Sequence, residues 1–199
     1  MSARAGLDHL AELVKVQGAF LDGVRRSDPM ARVESCGRWR VRDLVVHLAG
    51  VHHWAAAEAR SEPEVPLGRG PVDLPHLYEE CARELVETLT DLGPDAVCST
   101  LVGRGPASFW RRRQLHETAV HLWDLSHATG AEPTLGAEDA DRTWVLGGSV
   151  DSGPSATVRG PASALALLLW GRLNPDASAL TVEGDDSALH AALAERLTP

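Results

Sequence analysis

Arg113, Glu117, His121 and Asp124 are residues that bind metals or move protons, and they stand at i, i+4, i+8 and i+11. On a helix these positions share one face. Around them Leu115, Thr118, Ala119, Val120, Leu122, Trp123 and Leu125 cover most of the remaining surface. A helix apolar nearly all round is a buried helix. A buried carboxylate and a buried imidazole need partners, because an unpaired buried charge is costly. One divalent cation satisfies both: imidazole nitrogen and carboxylate oxygen bind zinc at about 2.0–2.2 Å. Spacing alone leaves a second reading open, in which the stripe is a solvated face. His116-Glu117 is not the start of a zincin motif, which needs His where Val120 stands. His116 projects about 100° away from Glu117 and is expected at the surface or the core edge.

A third ligand has to come from another element. His47 lies beside an apolar stripe of Val41, Leu44, Val45, Leu48, Val51 and Ala55, the pattern of a helix over 41–59. A lone histidine there is equally compatible with a structural role, and His52 and His53 are rivals. Apolar spacing predicts further helices over 7–24, 74–92 and 107–129. Ser27-Asp28-Pro29, the Pro/Gly-bearing stretch 61–71, Gly93-Pro94 and Gly130 separate or end them. Four such helices form a bundle, and its longer connections leave room for a non-simple topology. A loop is expected around Gly103, Gly105 and Pro106.

After Gly130 the pattern changes. Short β-branched runs at 143–146, 156–159 and 179–183 read as strands. Helices are expected over 161–173, with Pro161 in its first turn, and over 186–197, capped by Asp185 or Asp186. The fold class is therefore α+β, with an all-α domain over 1–130 and a small α+β domain over 141–199.

Bulk properties narrow the function. The chain has 199 residues, 44% hydrophobic and 24% charged, enough for a sizeable core. A net charge of -9 argues against nucleic acid as a partner. Three scattered cysteines, Cys36, Cys81 and Cys98, read as reduced thiols. Met1-Ser-Ala-Arg-Ala-Gly lacks the layout of a signal peptide. The apolar run 162–170 is about half of a membrane span. A cytoplasmic protein is expected.

Three segments resemble the mycothiol-dependent maleylpyruvate isomerase family, whose metal-binding four-helix bundle is of the DinB type. Trp39-Arg-Val-Arg-Asp-Leu-Val-Val-His47-Leu-Ala-Gly looks like its second-helix signature. Phe109-Trp-Arg-Arg-Arg-Gln-Leu-His-Glu117-Thr-Ala-Val-His121-Leu-Trp-Asp124 looks like the signature that completes its site. Thr157-Val-Arg-Gly-Pro through Leu169-Trp-Gly-Arg172-Leu to Leu180-Thr-Val-Glu-Gly-Asp185 is similar to its C-terminal domain. The resemblance touches nearly the whole chain, but 130–143 is shorter than the family's pattern, so a reduced C-terminal domain is expected.

The resemblance implies that His47, Glu117 and His121 bind one divalent metal, zinc first and nickel second, with mycothiol as thiol cosubstrate. A metal-bound thiol is deprotonated at neutral pH and can add to an activated double bond, open an epoxide or displace a leaving group. Asp124 would orient His121. The triple-arginine run Arg111, Arg112 and Arg113 and, beyond it, Arg172 are candidates for holding anionic groups of thiol or substrate, although the run also reads as a solvated helix start and Arg172 would also compensate a helix C-terminus. The expected partners are a small thiol and a small electrophile, with the chain a monomer or homodimer. A bundle that binds metal or thiol without turnover, in sensing or regulation, is the alternative reading, and an interaction protein that has lost the site is a third.

Overall fold

The computed structural model describes residues 8–68, 72–131 and 155–194. The chain divides into two compact units, Met1–Thr134 and Leu135–Pro199. In the first, α1 (His9–Arg26), α2 (Val41–Arg60), α3 (Leu74–Leu92) and α4 (Ser108–Ala128) form the bundle. A 3-10 turn, Glu34–Cys36, precedes α2.

Local chemistry sets these ends. The Asp8 carboxylate accepts from the amides of Leu10 and Ala11, which starts α1. Asp43 reaches back to the Arg40 amide at 2.9 Å, and Asp73 accepts from His76 at 3.1 Å. Gly130, at φ +70°, follows α4 in the left-handed conformation that a side chain disfavours.

Two apolar clusters reveal the helix directions. One joins late α1 (Phe20, Val24), early α2 (Val41, Leu44), early α3 (Tyr78) and late α4 (Leu125). The other joins early α1 (Leu13), late α2 (Ala55, Ala59), late α3 (Leu85, Leu89) and early α4 (Trp110). Hence α1 and α4 run one way and α2 and α3 the other. Two consecutive parallel helices need a connection that returns along the bundle, which is why the Pro/Gly-bearing stretch before Leu74 is long. Along the helices, between residues of the two clusters, come buried polar side chains: Gln17, His52, Gln114, Glu117 and Thr118.

The expected loop near residue 103 is instead an antiparallel hairpin, β1 (Val97–Thr100) with β2 (Gly103–Pro106), in the register Cys98↔Gly105. Glycine and proline hide the strand pattern of β2. The buried Trp110 indole donates to the Ser99 carbonyl at 2.7 Å, so the hairpin satisfies the polar atom of a core residue.

In the second unit β3 (Ala156–Arg159) pairs antiparallel with β4 (Thr181–Gly184), with Val158 opposite Val182. Between them in sequence lies α5 (Ala162–Leu169), and α6 (Asp186–Ala194) follows β4. α5 ends earlier than the expected 173, because Gly171 at φ +67° closes it. Asp185 caps α6 by accepting from the Ala188 amide at 3.1 Å. The strand expected at 143–146 and the end of the last helix after 194 lie outside the described residues. Among the described residues no helix is long and apolar enough to cross a membrane.

Candidate metal centre

The polar stripe of α4 faces inward. Glu117 and His121 are 4% exposed and Asp124 is 0% exposed, so the solvated-face reading fails. From α2, His47 brings Nε2 to 3.5 Å from Glu117 Oε1, and His121 Nε2 stands 3.3 Å from the same oxygen. One ligand atom from each of the three residues lies within 4.8 Å of the other two. The His47 and His121 rings meet edge-on with centroids 5.2 Å apart, and Trp39 lies against His47 at 4.8 Å. The His47 side chain is 36% exposed, against 5% for Glu117, so the open side of the cluster is the His47 side.

This geometry passes a simple test of fit. Two ligands each about 2.1 Å from a tetrahedral ion stand roughly 3.4 Å apart. The two imidazole–carboxylate separations match that spacing, and the nitrogen–oxygen donor set suits first-row divalent ions.

Electrostatics also draws the cluster together. Burial pushes the Glu117 carboxyl up, but hydrogen bonds from His121 and His47 and the charge of Arg113 prevail and hold it well below the usual carboxylate range. Burial pushes His121 down, but hydrogen bonding to Asp124, Cys36 and Glu117 prevails and raises it. Arg113 donates to Glu117 Oε2, leaving Oε1 towards the histidines.

Asp124 accepts from His121 Nδ1 at 2.9 Å, which directs Nε2 towards Glu117. Its Oδ1 accepts from Ser35 Oγ at 2.6 Å, and Cys36 Sγ lies 3.4 Å from Oδ2. Cys36, His121 and Asp124 thus form a second donor group sharing His121. Sequence reasoning missed Ser35 and Cys36 because nothing local marks them, and Ser35 is 89 positions from Asp124.

The remaining candidates go elsewhere. His52 is buried, its Nδ1 2.9 Å from Gln114 Oε1 and its Nε2 3.5 Å from the Tyr78 hydroxyl. His53 is held by Glu84 at 2.6 Å and by the Val65 carbonyl at 2.7 Å. Neither is exposed and neither joins the cluster. His116 is exposed. In the triple-arginine run, Arg111 donates to the Leu89 carbonyl, Arg112 is exposed and Arg113 serves Glu117. Arg172 belongs to the second unit, where its Nη1 donates to the Trp170 carbonyl at 2.7 Å, next to the end of α5.

Two family models match the chain. One, described as the mycothiol maleylpyruvate isomerase N-terminal domain, matches residues 10–126. The other, described as the MDMPI C-terminal domain, matches residues 78–191, starting within α3 and so including α4. No curated protein and no solved structure matches.

Proposed function

The chain belongs to the mycothiol maleylpyruvate isomerase family, and on that premise we propose a metal- and thiol-dependent enzyme acting on a small electrophile. His47, Glu117 and His121 hold one divalent ion, zinc before nickel, and mycothiol is the thiol. The observation that carries this reading is the convergence of three ligand atoms from α2 and α4 on one another inside the bundle. Such an ion would lower the pKa of a thiol enough to supply a nucleophile at neutral pH.

The chain's own groups do the rest. Glu117 is kept ionised by Arg113 and the two histidines, so it offers a carboxylate. Asp124 holds the Nδ1 side of His121 and leaves Nε2 as the ligand atom. Trp39 walls one side of His47, and the reactants enter on the exposed side of His47. In an isomerisation the thiol sulfur adds to an activated carbon–carbon double bond, and the resulting single bond rotates. Expulsion of the thiol then restores the double bond, so the thiol is not consumed. In a transfer reaction it stays attached. Arg113 in the bundle and Arg172 in the second unit are, each within its own unit, the proposed holders of anionic groups.

The test is elemental analysis of wild type and His121→Ala, purified without a metal-binding tag, followed by thiol-dependent turnover of a cis-configured electrophile. About one ion per wild-type chain, absent from a folded His121→Ala, with turnover needing both metal and thiol, supports the enzyme. Wild-type protein that takes up no zinc or nickel defeats the metal centre. Metal uptake without consumption or isomerisation of any electrophile defeats the enzyme.

A further inference from the structure

We propose that Ser35 is a positioning residue for His121, acting through Asp124, so that the turn before α2 clamps the centre from outside. The inference rests on the reading of His47, Glu117 and His121 as ligands.

The argument begins with the Asp124 side chain. The torsion that sets the plane of an aspartate carboxylate is broad and weakly restrained by covalent geometry. A carboxylate held through one oxygen therefore swings, and a histidine bonded to it swings as well. Here both oxygens are engaged. His121 Nδ1 is 2.9 Å from Oδ2, while the Ser35 hydroxyl donates to Oδ1 at 2.6 Å. Asp124 is 0% exposed, so water does not replace the serine without opening the fold. The Ser35 bond fixes the carboxylate plane, and the plane fixes the direction of the His121 ring.

The same short segment reaches the other histidine. Cys36 Sγ adds a contact to Asp124 Oδ2 at 3.4 Å, and Trp39 lies against the His47 ring at 4.8 Å. Residues 35–39 thus reach both histidines of the set, His121 through Asp124 and through Cys36, and His47 through Trp39. A turn that served only to start α2 would need neither the hydroxyl at Ser35 nor its bond to α4.

The test compares wild type, Ser35→Ala, Ser35→Thr and Asp124→Ala, and adds the double variant Ser35→Ala/Asp124→Ala. The first readout is zinc affinity by chelator competition. The second, on metal-free protein, is solvent exchange of the His121 Nδ1 proton followed by NMR. Ser35→Ala should weaken zinc binding about tenfold, within the 10–100-fold range of outer partners, and should speed exchange of that proton. Ser35→Thr, which keeps the hydroxyl, should restore both. On the Asp124→Ala background Ser35→Ala should add nothing, because the serine acts through the aspartate. Wild-type values for both readouts in Ser35→Ala would overturn the proposal, as would a full additional loss in the double variant. Wild type that binds no zinc defeats the ligand reading instead. The proton-exchange comparison then decides the role of Ser35 by itself.

Discussion

Two polar clusters in this bundle use the same residue types and end differently. Between α2 and α3, His53, Glu84 and Arg60 close on one another. His53 uses both ring nitrogens, on Glu84 and the Val65 carbonyl, and Arg60 donates to Glu62, Glu84 and Thr88. The bonds between these side chains are 2.6–2.9 Å long, the lengths of direct hydrogen bonds. Between α2 and α4, His47, His121 and Glu117 converge at 3.3 and 3.5 Å, longer contacts whose spacing also suits ligands sharing a centre. Composition does not separate a strap from a site. The distances at which the partners stop do, together with the shell that holds them there.

The sharpest way to break that contrast is to remove one ligand on each side. Glu117→Gln or His121→Ala should abolish metal uptake and lower thiol-dependent turnover by more than the roughly 100-fold upper range of an outer partner. Glu84→Gln should leave uptake unchanged and cost about 1 kcal/mol or less, as for a partly exposed ion pair. Equal losses of metal in both would erase the distinction.

A smaller effect concerns His52, which lies between the two clusters on α2 and joins neither. Burial pushes its pKa down to about 4 from 6.5, so it folds as neutral imidazole. The unfolded chain binds a proton below pH 6.5 that the folded chain refuses until about pH 4. Stability is therefore full above that window and falls on acidification, by roughly 2 kcal/mol between about pH 7 and about pH 5. Urea midpoints of wild type and His52→Gln at the two pH values measure it, and a wild-type slope no steeper than the variant's would refute it.

The smallest effect belongs to the strap. Burial lowers His53, but bonding to Glu84 and the Val65 carbonyl raises it overall. Glu84 is lowered overall by His53 and Arg60 against the effect of burial. The His53 contribution is complete below its ordinary 6.5 and fades as pH rises through the raised value. That of Glu84 is complete above its ordinary 4.5 and fades as pH falls through the lowered one. Wild type minus Glu84→Gln should thus show a shallow maximum, about 1 kcal/mol or less, between those two values. A difference independent of pH would mean that the pair contributes only through packing.

Much of this was legible from the residue pattern. Helical periodicity located all four bundle helices, because apolar burial at i, i+3 and i+4 is a local signal. Glu117, His121 and Asp124 shared a stripe, and resemblance singled out His47 from its neighbours. The hairpin around Cys98 and Gly105 was illegible, since one strand is built from Gly and Pro and is held by a tryptophan beyond it. Ser35 and Cys36 were illegible for another reason: their partner lies on another helix, and only the packing of the turn against α4 brings them to Asp124. The parallel course of α2 and α3 left only an indirect trace, the long connection.

That arrangement has a kinetic consequence. The ligand atoms belong to the second and the last helix of the bundle, and the bond that steadies them spans 89 positions. Contacts of such separation carry a large loop-closure entropy and tend to form late. The centre is therefore expected to come into being only when α4 closes against α2. An occupant of that space would favour the closed chain by RT ln(1 + [L]/Kd). The rate at which a metal-loaded chain opens would then report on the parting of α2 from α4, together with the apolar clusters that join α1 to α4 over comparable separations.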